Sequence, residues 1–210
     1  MSSIIKSLIL VSLGFGANYF QPQLQSSAGN LNIPETLHLI GIMAQFQLEV
    51  DDNPATSGNG FFLNQGPEEY NHFFKSDSLR CKGFLVDRPP HNSAYFINQL
   101  EAVGNYYKTI SNGNLPHTAY IVENTQSSDG YYQVSQEMEY YAKSDKLLAE
   151  FFTEVLNLAQ SDIETHLGDS VLSPDDVAFV IFHTGLGQDF SLPYADPTIY
   201  DLKSAYIDKD

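Results

Sequence analysis

Asp176-Val-Ala-Phe-Val-Ile-Phe-His-Thr-Gly-Leu-Gly-Gln-Asp189 is the stretch of this sequence that decides the fold. Its apolar run from Val177 to Phe182 is too short for a helix with a polar face, and it predicts a strand buried on both sides of a parallel sheet. Polar and glycine residues follow at once, which predicts a loop at the C-terminal end of the strand. Ligands of open α/β sheets bind at that end. The candidate residues of a substrate cleft are therefore His183, Gly185, Gly187 and Asp189.

A second strand is predicted over Leu37 to Val50. Its first half is apolar on both faces, which is typical of a strand inside a sheet. From Gln45 onward, polar residues alternate with apolar ones, which is typical of a strand with one face in water. We therefore expect this strand to begin inside the sheet and to emerge with a wet face.

A helix is predicted to begin after Asn92, whose side chain is a good N-cap. It ends at Ser111-Asn112-Gly113, where the glycine suits the left-handed position after a helix. A single apolar stripe at helical spacing consists of Phe96, Leu100, Val103, Tyr107 and Ile110.

Two more strands and a second helix follow. Thr118 to Glu123 predicts a strand, and Tyr131 to Val134 predicts a hairpin return after a turn rich in Ser, Asp and Gly. The second helix is predicted from about Asp145 to Gln160. Its expected buried face consists of Leu147, Leu148, Phe151, Phe152, Val155 and Ala159.

The resulting order is strand, helix, strand, helix, strand. Parallel strands joined by helices need right-handed crossovers, so the expected fold is a three-layer α/β/α domain with a mostly parallel sheet. We assign residues 36–189 to this domain and residues 190–210 to an irregular tail. No helix closes the tail, and we expect the full-length protein to continue beyond it.

The composition is acidic. Among 210 residues there are 26 Asp and Glu against 10 Lys and Arg, which gives a net charge of −16. Such a chain repels phosphate backbones and anionic membrane surfaces, which argues against nucleic-acid binding. The acidity is typical of a solvated surface. The alternative is calcium coordination, with Asp51 and Asp52 as candidate ligands, although no EF-hand loop is present.

Residues 1–17 have the pattern of a secretory signal peptide. Lys6 precedes an apolar run from Ser7 to Phe15, and small residues follow. Cleavage is expected after Gly16 or Ala17, or as late as Ala28, and residues 18–35 are predicted to be a linker. The protein is therefore expected to be secreted, periplasmic or extracellular, with no membrane attachment after cleavage. The alternative for the first 17 residues is a buried N-terminal strand.

Most catalytic patterns are absent. Gly185-Leu186-Gly187 lacks the third glycine of a dinucleotide fingerprint, because residue 190 is phenylalanine. Cys81 is the single cysteine, so no internal disulfide can form, and its thiol is either reactive or incidental. The His-Glu-x-x-His helix of a zinc protease is also absent. His183 is either a lone ligand or substrate contact, or a satisfied structural histidine.

Several segments carry a family resemblance. The first two are Asp87-Arg-Pro-Pro-His-Asn-Ser-Ala-Tyr-Phe96 and Asn105-Tyr-Tyr-Lys-Thr-Ile-Ser-Asn-Gly-Asn-Leu115, and the third is Phe179-Val-Ile-Phe-His-Thr-Gly-Leu-Gly-Gln-Asp189. In this order they resemble the region that precedes the zinc site of immune-inhibitor-A-like secreted metalloproteases. The segment from Asp196 to Tyr206 is similar to the continuation found in relatives.

The resemblance implies the fold of a zincin N-terminal subdomain. It also implies that a full-length relative hydrolyses peptide bonds of a peptide or protein substrate with zinc-activated water. The catalytic helix of that family follows the region matched here, so no catalytic residue carries over, and zinc is not expected to bind these 210 residues. We expect the chain to be inactive alone. The alternative is a non-enzymatic extracellular binding module with acidic, calcium-binding loops.

Overall fold

The computed structural model describes residues 8–9, 35–50, 53–64, 89–168, 172–188 and 198–207. Six strands are formed by Leu8–Ile9 (β1), Leu37–Gln45 (β2), His117–Val122 (β3), Tyr132–Gln133 (β4), Val177–His183 (β5) and Tyr206–Ile207 (β6). The helices are Ser93–Ile110 (α1), Met138–Ala142 (α2) and Asp145–Leu167 (α3), with a 3-10 turn at Pro174–Asp176.

The strands form one open, mostly parallel sheet in the order β3-β2-β5-β1-β6, and β4 extends the ladder of β2. β2 pairs in parallel with both β3 and β5, and β6 alone runs antiparallel to its neighbour. The chain therefore has an α/β fold, as the sequence predicts. None of the helices in the described ranges is both long and apolar enough to cross a membrane.

β5 is buried along its whole length except at His183, which is half-buried. Alternate residues of the strand contribute to two separate apolar clusters. Val177, Phe179 and Ile181 join a cluster that includes the buried side of α3. Ala178, Val180 and Phe182 join a second cluster that includes Phe96 and Leu100 of α1. The prediction of a strand buried on both faces is confirmed.

Both long helices form where the sequence predicts them. The Asn92 side chain accepts a hydrogen bond from the Tyr95 backbone N–H at 3.1 Å, and Gly113 takes a left-handed φ of 82° just after α1. The Ser144 side chain caps α3 by accepting from the Leu147 N–H. α3 continues seven residues beyond the predicted end, because Ile163 extends its buried face.

The predicted apolar stripe of α1 is wrong in its last two turns. Phe96 and Leu100 are buried, but Tyr107 and Ile110 are 46% and 56% exposed. An 18-residue helix is about 27 Å long, whereas six residues of β3 span only about 20 Å. The last turns of α1 therefore extend past the strand beneath them.

The short strands differ from the predictions. Tyr131 to Val134 is not a hairpin return, because β4 pairs in parallel with β2 and not with β3. The pairing of β3 with β2 ends at Val122, and β4 pairs with the next residues of β2 along the same edge. In the tail predicted for residues 190–210, the described part contains β6 and two fully buried residues, Asp201 and Leu202. This part of the tail belongs to the sheet and its core.

Two residues of the predicted signal peptide also lie in the sheet. Leu8–Ile9 forms β1, which pairs in parallel with β5 and antiparallel with β6. A strand at Leu8–Ile9 agrees with the alternative of an N-terminal strand. Signal-peptide cleavage stays a prediction. The linker assigned to residues 18–35 lies outside the described residues except for Glu35.

Candidate functional site

The candidate site lies at the C-terminal end of β2 and β5, where the sequence predicts a cleft. Three loops meet there, namely residues 53–64, 184–188 and 198–202, and we refer to them as the C-terminal-edge loops. They follow β2, follow β5 and precede β6, respectively. Their contacts determine which polar groups are available for chemistry.

His183 ends β5 and packs among aromatic rings. Its ring centroid lies 6.1 Å from that of Phe46 and 6.4 Å from that of Phe151 on α3. Its Nδ1 lies 2.8 Å from the Thr184 carbonyl oxygen, so Nδ1 carries the proton and donates it to that bond. The imidazole is thus held by ring packing and by the backbone of the next residue. A substrate contact by His183 stays a prediction.

Gly185 allows the loop after β5 to approach the loop after β2. Its φ is 85°, and a Cβ at this position would lie 2.9 Å from the Ser57 carbonyl oxygen and 2.5 Å from Cε of Met138. The Ser57 hydroxyl oxygen accepts a hydrogen bond from the Leu186 N–H at 2.6 Å. The Thr184 hydroxyl donates to the Gly60 carbonyl oxygen at 2.9 Å. Glycine at 185 is therefore required by both the backbone and the contact.

The third loop, residues 198–202, is hydrogen-bonded to each of the other two. Asp201 is 2% exposed, and its Oδ1 accepts a hydrogen bond from the Ser57 N–H at 2.6 Å. The Tyr200 N–H donates to the Ala55 carbonyl oxygen at 2.8 Å, and the Gln188 N–H donates to the Leu202 carbonyl oxygen at 2.9 Å. Buried Gly187 lies within this network, and Asp189 lies outside the described residues. The network makes the C-terminal-edge loops one interlocked unit.

Glu49 is a buried carboxylate that the sequence pattern does not reveal. It is 6% exposed, accepts from the Thr56 hydroxyl at 2.8 Å and accepts from the Asn53 N–H at 3.2 Å. We expected Glu49 on a wet face, with Leu48 and Val50 facing inward. That expectation is wrong, because sheet pairing ends at Gln45 and the period of two no longer applies beyond it.

The loop after β2 is also tied to α2. The Asn53 side-chain amide donates to Glu139 Oε2 at 2.6 Å, and Lys143 pairs with Glu139 Oε1 at 2.9 Å. The hydrogen bond from Lys143, followed by that from Asn53, lowers the pKa of the Glu139 carboxyl. Asp51 and Asp52, the calcium candidates, lie outside the described residues.

The described residues do not fit a zinc site. No group of three or more His, Cys, Asp or Glu in the described ranges is arranged to hold a metal ion. His38 and His117 lie where β2 and β3 begin, at the opposite end of the sheet from His183. Among the described residues of the C-terminal edge, Glu49, Ser57, Thr184 and Asp201 form hydrogen bonds that hold the loops together.

Several exposed apolar side chains lie on the C-terminal-edge loops and on the segment that follows β2. Those of the C-terminal-edge loops and of the segment after β2 are between 37% and 89% exposed, and we call them the apolar rim: Leu48, Val50, Phe61, Leu63, Leu186 and Ile199. No signal for the rim exists in the sequence beyond the apolar residues themselves.

Comparison of the chain with protein-family models, with curated proteins and with solved structures gives no match.

Proposed function

We propose that this chain forms the non-catalytic N-terminal part of a secreted metalloprotease-like protein. We further propose that the zinc-bearing part of that protein packs on the apolar rim. The observation that supports the proposal is the rim itself, six exposed apolar side chains on and next to loops that are cross-linked by hydrogen bonds. Exposed apolar side chains on hydrogen-bonded loops suit a packed interface between parts of one protein.

The arrangement of helices and strands supports the same proposal. We propose a three-layer α/β/α architecture, with α1 and α3 on opposite faces of the sheet. The two separate apolar clusters, one shared with α1 and the other with α3, support it. The order strand, helix, strand, helix, strand also resembles the N-terminal subdomain of a zincin, as do the sequence segments that end at residue 189.

In this proposal the loops have a structural role in the complete protein. Gly185 and Ser57 bring two loops into contact, and Asp201 holds the third loop against them. In this proposal, peptide-bond hydrolysis and the zinc belong to the part beyond this chain, and the chain alone is inactive.

The reading frame downstream of codon 210 tests the proposal. A His-Glu-x-x-His motif in frame, on a segment with helical periodicity, is the expected result. A stop codon directly after residue 210, together with a secreted protein no longer than this chain, would contradict it. That outcome would favour the alternative of a non-enzymatic extracellular binding module.

A further inference from the structure

β3 pairs with β2 along one edge and with none of the described strands along its other edge, which we call the open edge. It lies at the end of the sheet, and its ladder with β2 runs without a bulge from Leu37↔His117 to Ile42↔Val122. The Pro116 carbonyl oxygen accepts from the Leu37 N–H at 2.9 Å. In a parallel ladder alternate residues bond to the same neighbour, so Thr118 and Tyr120 continue the bonding to β2.

The intervening residues direct their backbone groups away from β2. His117, Ala119 and Ile121 therefore present three N–H and three C=O groups on the outer edge of β3. Within the described part of the chain, none of these groups has a hydrogen-bond partner. They have the geometry needed to pair with one further strand.

The open edge lacks the usual protection against such pairing. Natural edge strands carry charged residues, proline or a bulge that discourages addition of another strand. The six residues of β3, His-Thr-Ala-Tyr-Ile-Val, include no Pro, Lys, Arg, Asp or Glu. The side chains of Thr118 and Tyr120 are partly exposed on one face of β3, where the Thr118 hydroxyl bonds to His38 of β2 and the Tyr120 ring stacks on His166 of α3.

Carboxylates flank both ends of β3. Glu101 of α1 lies 3.1 Å from Nε2 of His117, with about half of its side chain exposed. Exposed Glu123 follows β3 directly, and exposed Asp129 lies on the next turn. Among the described lysines, Lys143, Lys146 and Lys203 are paired with carboxylates of α2 and α3, and Lys108 lies on the last turn of α1. The described carboxylates near this edge favour a cationic partner, and they disfavour a second copy of a chain with charge −16.

We propose that the open edge of β3 binds an extended, basic polypeptide segment as an added strand. The backbone groups of His117, Ala119 and Ile121 supply the main-chain hydrogen bonds, and Glu101 and Glu123 select lysine or arginine in the segment. This edge lies at the opposite end of the sheet order from β6 and does not depend on the proposed metalloprotease-like function.

The test uses the full chain and two matched eight-residue peptides, one alternating valine with lysine and the other alternating valine with glutamate. Amide hydrogen exchange is followed by NMR. With the lysine peptide, exchange slows at His117, Ala119 and Ile121 and is unchanged at Thr118 and Tyr120, which already bond to β2. The affinity of the glutamate peptide is lower than that of the lysine peptide by at least about tenfold.

Two further peptides distinguish strand addition from charge attraction alone. They are lysine peptides N-methylated either at every valine or at every lysine, which removes the amide donors from one edge or the other. The affinity of one of these peptides falls by about tenfold, because its methyl groups replace the amide hydrogens that would bond to β3. The affinity of the other changes by less than about twofold. Equal affinity of both would overturn the proposal. So would slow exchange at His117, Ala119 and Ile121 in the free chain, or slowing that appears only as the chain concentration rises.

Discussion

Ile181 of β5 lies directly opposite Ile42 of β2 in the parallel ladder, and both side chains are fully buried. This pair joins the two longest strands and lies in the cluster that α3 covers. The fold therefore depends on the centre of the stretch Val177 to Phe182.

Ile181→Ala should destabilise the protein by about 2–5 kcal/mol, because it removes buried methyl groups and leaves a cavity in a packed core. The matched control is Ile110→Ala, at a residue that is 56% exposed on α1, where the change should stay within about 0.5 kcal/mol. Chemical denaturation of both variants measures the difference. Equal losses would show that β5 is peripheral to the core.

Gly185→Ala should cost more than Gly113→Ala, although both glycines have a φ close to 80°. At Gly113 no atom lies within 4 Å of an added Cβ, so the cost is the backbone strain alone, about 1–2 kcal/mol. At Gly185 the Cβ also meets the Ser57 carbonyl oxygen, which should add about 1–3 kcal/mol. Thermal melts compare the two, and equal losses would argue against close contact between the loops.

Tyr141 should make stability sensitive to alkaline pH. Its hydroxyl donates to Glu154 Oε2 at 2.5 Å, and burial, followed by this hydrogen bond, raises the pKa of Tyr141 to about 12. A raised pKa stabilises the fold below the unfolded pKa of 10.0, and this contribution is lost as the pH rises from there through about 12. Tyr141→Phe should lower the free energy of unfolding by about 1–3 kcal/mol at pH 8 and reduce its fall between pH 10 and 12. Urea titrations at several pH values measure this, and parallel pH profiles of variant and parent would contradict it.

Asp162 should make the stability of the protein depend on pH in the acidic range. Burial raises the pKa of this carboxyl, but hydrogen bonds from Thr125 at 2.7 Å and from Tyr132 at 2.8 Å outweigh burial and lower it overall. A lowered pKa stabilises the fold above the unfolded value of 3.8, and this contribution is lost as the pH falls through the folded value. The advantage of the parent over Asp162→Asn should therefore be constant from pH 5 to 7 and shrink below about pH 4. A difference that does not change with pH would show that the carboxylate charge is not involved.

The regular elements are predictable from the sequence because their periodicity is long or their cap is distinctive. β5 is an uninterrupted apolar run, and Asn92 and Gly113 mark the ends of α1. The errors come from tertiary context. Tyr107 and Ile110 match the helical stripe but extend past β3, and β4 pairs with β2 because β3 ends at Val122, which no local pattern records.

The candidate site was predictable only in part. Ligands of open α/β sheets bind at the C-terminal ends of the strands, and this rule predicts the edge where the three loops meet. The glycine at position 185 is explained by the close contact with Ser57 found there. The buried carboxylates Glu49 and Asp201 could not be predicted, because each is satisfied by backbone or hydroxyl groups of a loop that folds back from elsewhere in the chain.

The most direct test of the proposed function compares two preparations in one experiment. One is the purified 210-residue chain, and the other is the protein captured from its source with an antibody raised against that chain. Zinc content is measured by elemental analysis, and peptide hydrolysis is measured with and without a chelator. We expect no stoichiometric zinc and no hydrolysis from the purified chain, and one zinc with chelator-sensitive hydrolysis from a longer captured protein. A captured protein that is no longer than this chain and holds no zinc, or a purified chain that itself holds one tightly bound zinc, would contradict the account.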